Sequence, residues 1–175
     1  MLVNRVVVGY LEENCYILEI NNNVLVIDPG AEYYKIKEIL KDKNLIGILI
    51  THRHFDHIGA LEELLSDYKV PVYDNNNTIE KEYNLNDFTF KIIKTYGHTN
   101  DSITFYFYQE KIMFTGDFVF KNTIGRTDLP TGNYNEMYFS IKKIKEYNDD
   151  ITIYPGHGDK TKLGYEKRNN KYFKL

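Results

Sequence analysis

The 175-residue chain contains no tryptophan, one cysteine and only four prolines. The single cysteine, Cys15, excludes an intramolecular disulfide, so the fold must be held by its core, and the composition fits a reducing compartment. Positive charge is not in excess either: 22 Lys and Arg stand against 25 Asp and Glu, for a net charge of -3. No overall field therefore draws the chain to a nucleic-acid backbone or an anionic membrane. Long apolar runs are missing too, so no transmembrane span is expected. The opening Met1-Leu2-Val3-Asn4-Arg5-Val6-Val7-Val8 lacks the basic-then-apolar layout of a secretory signal. These absences predict a cytoplasmic protein without nucleic-acid or membrane partners; they say nothing about oligomeric state. At this length one domain, residues 1–175, can bury a core of its own.

Histidine is scarce as well, and its placement is informative. Of five histidines, three fall in Thr51-His52-Arg53-His54-Phe55-Asp56-His57, directly after the apolar run Leu45 to Ile50. The other two, His98 and His157, each follow a β-like run and a glycine, Gly97 or Gly156.

The pattern of apolar residues places these clusters. Val3 to Val8, Cys15 to Ile20 and Val24 to Ile27 read as a meander of strands, with Asn21-Asn22-Asn23 as a turn. Tyr33, Ile36, Ile39 and Leu40 recur at helical spacing, and Leu45 to Ile50 returns to strand. After the histidine cluster, Ile58, Leu61, Leu64 and Leu65 predict one amphipathic helix. Val70 to Tyr73, Phe88 to Thr95, Ile103 to Tyr108 and Lys111 to Thr115 read as strands. A helix is expected near Tyr134 to Tyr147, then a strand at Ile151 to Tyr154. The order βββ-α-β-α-β followed by βββ-α-β-α suggests two sheets packed together with helices outside. Cys15, inside an apolar strand, reads as a small buried hydrophobe and not a nucleophile. The basic tail from Lys160 to Leu175 reads as a solvated surface.

Imidazoles and carboxylates that leave coordination partly open to water are what metal-assisted hydrolysis needs. On an extended segment His52 and His54 point the same way, and Asp56 shares their parity. With His57 following at once, these are too many donors for one open site, and two adjacent ions are the economical solution. Each residue alone has an ordinary reading: Asp56 as a helix cap, Asp28 and Asp117 as turn residues beside Gly30 and Gly116. Only their joint placement at strand ends points to a centre.

At these residues a resemblance appears. Thr51 to His57 resembles the T-H-x-H-x-D-H signature of the metallo-β-lactamase superfamily, and Val26-Ile27-Asp28-Pro29-Gly30 resembles the Asp motif that precedes it. Tyr96-Gly97-His98-Thr99, Phe114-Thr115-Gly116-Asp117 and Tyr154-Pro155-Gly156-His157-Gly158 are similar, in order, to the family's remaining metal motifs. The resemblance implies an α/β fold, an αββα sandwich of two mixed β-sheets with helices on the outer faces. It implies that His52, His54 and His98 hold a first ion, that Asp56, His57 and His157 hold a second, and that Asp117 bridges them. Asp28 would orient a ligand by hydrogen bonding. Two divalent ions are implied, zinc foremost, with iron or manganese as alternatives, since imidazole suits zinc and iron alike.

Within the superfamily, β-lactam hydrolases often place a cysteine at the second metal, and flavodiiron proteins a glutamate where His54 stands, so neither branch matches well. Asn122 to Asn133, with Gly158-Asp159-Lys160-Thr161 and Glu166, is similar to the short glyoxalase II-like hydrolases. That likeness implies a small-molecule thioester substrate of the S-lactoylglutathione type, without the C-terminal helical domain that grips glutathione in the longer forms. Asp56 would orient the attacking water. Arg126 is a candidate contact for a substrate carboxylate, or else an internal partner of Asp128. Persulfide dioxygenases, which use one iron and O₂, resemble the same branch and supply the alternative; a phosphodiesterase or nuclease is a further one.

Overall fold

The computed structural model describes residues 1–174. Two sheets face each other. The first is built from β1 (Leu2–Val8), β2 (Glu13–Ile20), β3 (Asn23–Ile27), β4 (Asn44–Leu49) and β5 (Val72–Tyr73), in that spatial order. β1 to β3 pair antiparallel and β3 to β5 parallel, so the sheet is mixed. The second contains β6 (Glu82–Leu85), β7 (Phe88–Lys94), β8 (Ile103–Phe107) and β9 (Ile112–Gly116). A small hairpin of β10 (Val119–Phe120) and β11 (Thr123–Ile124) follows. β12 (Thr152–Pro155) then returns parallel to β9, and β13 (Thr161–Lys162) closes the sheet, whose order is β13-β12-β9-β8-β7-β6.

Side-chain alternation divides the core into layers. Leu18, Leu25, Ile27 and Leu49 meet Phe88, Phe90, Phe105, Phe107 and Phe114 between the sheets. The opposite face of the first sheet, including Cys15, Ile17, Val24 and Ile48, packs on α1 (Tyr33–Leu40) and α3 (Leu61–Asp67) through Ile36, Leu40, Leu61 and Leu64. The outer face of the second sheet, with Ile93, Met113 and Ile153, is covered by α4 (Tyr134–Lys145) and α5 (Leu163–Asn169). The result is the αββα sandwich. Cys15 is fully buried, as expected of a small hydrophobe.

Several expectations need correction. The helix after the histidine cluster is two pieces, α2 (Phe55–Ile58) and α3, because the Ala60 amide donates to Pro29 O at 2.9 Å instead of continuing the helical ladder. Asp56 consequently lies on a helical turn, not on the extended segment, and the parity argument does not extend to it. It is not the helix cap either: the N-cap is His54, without a side-chain cap bond. The tail from Lys160 is a solvated surface only on its basic side, where Lys160, Lys162, Arg168, Lys171 and Lys174 are exposed; its other side packs on the fold. Leu163, Glu166, Asn170 and Phe173 are buried. Glu166 ties the tail down, accepting from Thr161 Oγ1 at 2.7 Å, Asn122 N at 2.9 Å and Asn170 Nδ2 at 2.9 Å. Strands β6, β10, β11 and β13 were not expected.

Candidate metal centre

Most candidate ligands are delivered by the ends of strands, while Asp56 and His57 stand on α2 shortly after β4. β4 runs into Thr51 to His54, β7 toward His98, β9 into Asp117 and β12 into His157. The extended stretch after β4 sends His52 and His54 inward while Arg53 turns away, its amide donating to Asp101 Oδ2 at 3.1 Å and its Nε to Asp74 Oδ2 at 2.8 Å. His54 Nδ1 lies 3.1 Å from His52 Nε2 and 3.0 Å from His98 Nε2. Three ring nitrogens thus converge on one point.

The other nitrogens of several rings are pinned outside the centre. His98 Nδ1 donates to Arg126 O at 2.8 Å, and His157 Nδ1 to Leu11 O at 3.0 Å. His57 Nδ1 donates to Asp28 Oδ2 at 2.9 Å. Each such bond aims Nε2 inward, where it offers a lone pair once that nitrogen is free of its proton. Asp28 also accepts from Thr51 N at 2.7 Å and Thr51 Oγ1 at 2.6 Å, so one buried carboxylate orients both the histidine loop and His57.

Asp117 sits between the two groups. Its carboxylate oxygens lie 3.3 Å from His57 Nε2, 3.6 Å from His98 Nε2 and 3.6 Å from His157 Nε2. Asp56 Oδ2 lies 3.2 Å from His157 Nε2 and 3.9 Å from His57 Nε2. Donor atoms close enough to share an ion form the sets His52/His54/His98, His52/His57/Asp117 and Asp56/His57/His157. His57 Nε2 and Asp117 Oδ1 are buried and have no hydrogen-bond partner among the described residues, a cost that a bound cation would remove. The donors fit divalent metal ions.

Glycines permit this crowding. A Cβ on Gly156 would strike Asp117 Oδ1 and stand 2.6 Å from His57 Cε1. Gly116 adopts a left-handed φ of 51°, and its missing side chain makes room for Thr51.

Protonation differs across the centre. Burial, reinforced by the neighbouring His57, pushes His52 well below the ordinary histidine value, and burial with His98 lowers His54. For His57 burial acts downward, but Asp117 and Asp28 outweigh it and hold the imidazole well above its usual value. His157 is raised in the same way, the bond to Asp56 and the charge of Asp117 exceeding the burial penalty. Burial acts upward on Asp117, yet His57 keeps its carboxyl well below the usual carboxylate range.

Arg126 is exposed, and its guanidinium is bidentate to Asp128, with Nε to Oδ1 at 2.7 Å and Nη2 to Oδ2 at 2.8 Å. Of the two readings open for it, the internal pair is the one present. The side chain still lines a cavity of about 440 Å³ over the centre, with Leu11, Phe55 and Leu129 as apolar wall and His54, Asp56 and His157 at the base.

One residue was missed. Glu13, at the head of β2, is buried, has no hydrogen-bond partner among the described residues on either carboxylate oxygen, and lies 3.7 Å from His57 Nδ1. Burial raises its pKa well above the ordinary value, against the downward pull of His57. Its only signal in the sequence is the polar pair Glu13-Asn14 opening an otherwise apolar strand.

Comparison with known proteins agrees with this geometry. The family model of the metallo-beta-lactamase superfamily matches residues 8–80 and 72–157. The hydroxyacylglutathione hydrolase GloC of Haemophilus influenzae is 31% identical over 207 residues, covering 98% of this chain and 98% of the relative. Among solved structures, the B3 metallo-beta-lactamase BLEG-1 superposes with a TM-score of 0.95 at 27% identity, covering 99% of this chain and all of its own. TTHA1623 in a di-iron-bound form gives 0.89 at 28% identity, covering 97% of this chain and 100% of that one. ETHE1 from Myxococcus xanthus gives 0.89 at 26%, covering 98% and 84% respectively. Fold, motif order and relatives converge, and the chain belongs to the metallo-β-lactamase superfamily.

Proposed function

We propose that this metallo-hydrolase superfamily enzyme hydrolyses small-molecule thioesters of the S-lactoylglutathione type. The observation that carries the reading is the end-to-end similarity to a hydroxyacylglutathione hydrolase, 98% of both chains. In this proposal residues 1–175 act as one metallo-β-lactamase-like domain in a cytoplasmic setting. His52, His54 and His98 would hold one ion, Asp56, His57 and His157 would hold the other, and Asp117 would serve both. Zinc is the first choice, with iron or manganese as alternatives; TTHA1623, in its di-iron form, shows that this fold accepts iron.

When bound, such ions make water a nucleophile near neutral pH and polarise a carbonyl oxygen. The chain's own residues do the rest. Asp56, held ionised by its hydrogen bond to His157 against the upward pull of burial, is placed to accept a hydrogen bond from the attacking water and orient it. The wall of Leu11, Phe55 and Leu129 gives the acyl and thiol portions an apolar surface. A thiolate leaves readily, since a thiol ionises at about 8–9, so no general acid is required. A substrate carboxylate reaching Arg126 would have to compete with Asp128.

The test is hydrolysis of S-lactoylglutathione followed by thioester absorbance, paired with metal analysis of protein purified from its native host. Turnover with two ions bound is expected. The likeness to ETHE1 keeps oxidation of a persulfide at a single iron as the second reading. One iron per chain and persulfide-dependent O₂ uptake, without thioesterase activity, would establish that reading instead. Because BLEG-1 shares the fold so closely, β-lactam turnover should be assayed alongside, and is expected to be negligible.

A further inference from the structure

We infer that Asn14 and Tyr16, at the head of β2, are positioning residues that set the affinity of the second ion's site by clamping the loop that carries His157. The inference rests on the two-ion reading above.

The loop from Pro155 to Gly158 leaves its own sheet after a register shift between Tyr154 and Pro155, where β12 stops tracking β9 regularly. On that side Gly156 N donates to Gly116 O at 2.9 Å. Its carbonyls are instead taken by the first sheet. Asn14 Nδ2 donates to Pro155 O at 3.0 Å and to Gly158 O at 2.9 Å, while Asn14 N donates to Gly156 O at 2.7 Å. Tyr16 Oη donates to Pro155 O at 2.7 Å, and Arg5 Nη1 adds a bond to Gly158 O at 3.0 Å. Glu13 and His157 form an isolated antiparallel bridge.

Asn14 and Tyr16 are 1% and 2% exposed, so these bonds are made away from competing water. Asn14 Oδ1 has no partner among the described residues, so the amide is oriented there by the two carbonyls. The clamp is also selective. His52 and His54 are anchored through Thr51 and Asp28, and His98 through Arg126 O, none of which involves β2. Loosening β2's grip should therefore free His157 and leave the three-histidine set in place.

Asn14→Asp tests this with an isosteric change that replaces a two-bond donor by an oxygen facing two carbonyl oxygens. Metal-stripped protein is titrated with Zn²⁺ by calorimetry, and bound metal is counted after dialysis. The second ion should bind about 10–100-fold more weakly while the first changes by less than about threefold, the size expected for an outer orienting partner. Tyr16→Phe, which removes one donor and retains its ring against Phe114 and Tyr154, should shift the same ratio less. If Asn14→Asp does not fold, Tyr16→Phe carries the test. Melting of the metal-free proteins separates the clamp from general destabilisation, because a purely structural role would weaken both ions together. Equal weakening of both ions, or no change in either, overturns the clamp. A native chain that takes up one ion only would refute the two-ion reading and the clamp with it, whereas two ions without thioesterase activity would refute only the proposed substrate.

Discussion

The two halves of the centre are built from different chemistry. Around His54 the donors are three imidazoles whose nitrogens approach within 3.0 to 3.1 Å, and burial favours the neutral form of His52 and His54. Around His157 the imidazoles are interleaved with Asp28, Asp56 and Asp117, which favour the protonated form. The first half is prepared for a cation by desolvation. The second is prepared by negative charge, and a proton can occupy it when no metal does. One pocket thus presents two sites with different competitors.

Removing a donor tests the first half most severely. His54→Ala should lose its ion and the hydrolytic activity together, by more than the roughly 10–100-fold that an outer partner costs. Metal analysis and thioester absorbance on one preparation would check it; full activity with that position emptied would refute the assignment. Asp28→Ala comes next, because Asp28 reaches His57 and Thr51 at once. We expect the second ion to weaken by about 10–100-fold, with the first less affected. The protein should also lose about 1–3 kcal/mol, since the buried Thr51 amide is left without its acceptor. Denaturant melts of the metal-free form would measure that loss, and an unchanged midpoint would count against Asp28 as the anchor.

Lowering the pH should separate the halves without mutation. In the metal-free protein His57 and His157 stay protonated above the usual histidine value of about 6.5, so a metal must displace their protons even near neutrality. His52 and His54 titrate below that value and offer free lone pairs further into acid. As pH falls, the second ion should leave first. The linkage signs are opposite as well. The raised pKa of His57 stabilises the metal-free fold below about 6.5, and this is lost as pH rises through its folded value; the depressed pKa of His52 costs stability as pH falls below about 6.5. Simultaneous release of both ions, followed by metal retention against pH, would break the contrast.

Much of this candidate centre was legible because its proposed ligands are residue types with few other uses, set at or just after the ends of apolar runs. His52, His54, His57, His98 and His157 exhaust the chain's histidines, and Asp117 follows a strand as plainly as Asp28 does. The sandwich was legible from the order of runs. Features set by distant contacts were not. The split between α2 and α3 depends on Pro29 O, thirty-odd residues upstream in the chain. The packed side of the tail depends on Glu166, whose carboxylate meets Asn122 on the β10–β11 hairpin, and nothing local distinguishes it from a solvated acid. Glu13 and Asn14 have the composition of a turn, and only the packing of β2 beneath the His157 loop gives them another meaning.

The smallest effect is expected at the rim, where Arg126 serves the centre through its main chain and the cavity through its side chain. Its carbonyl holds His98, so Arg126→Ala should leave metal content unchanged. The hydrogen bonds from Arg126 hold Asp128 at a pKa of about 2, so the pair remains ionised wherever the enzyme works and does not act as a pH switch. If the guanidinium recognises a substrate carboxylate, Asp128 is its competitor, and the two substitutions should move KM in opposite directions. Arg126→Ala should raise KM for an anionic thioester, and Asp128→Asn should lower it, with kcat little changed in both. An uncharged thioester should respond to neither. Identical shifts for charged and uncharged substrates would make the pair a brace for the loop alone, and would remove Arg126 from the substrate contacts while leaving both halves of the centre as described.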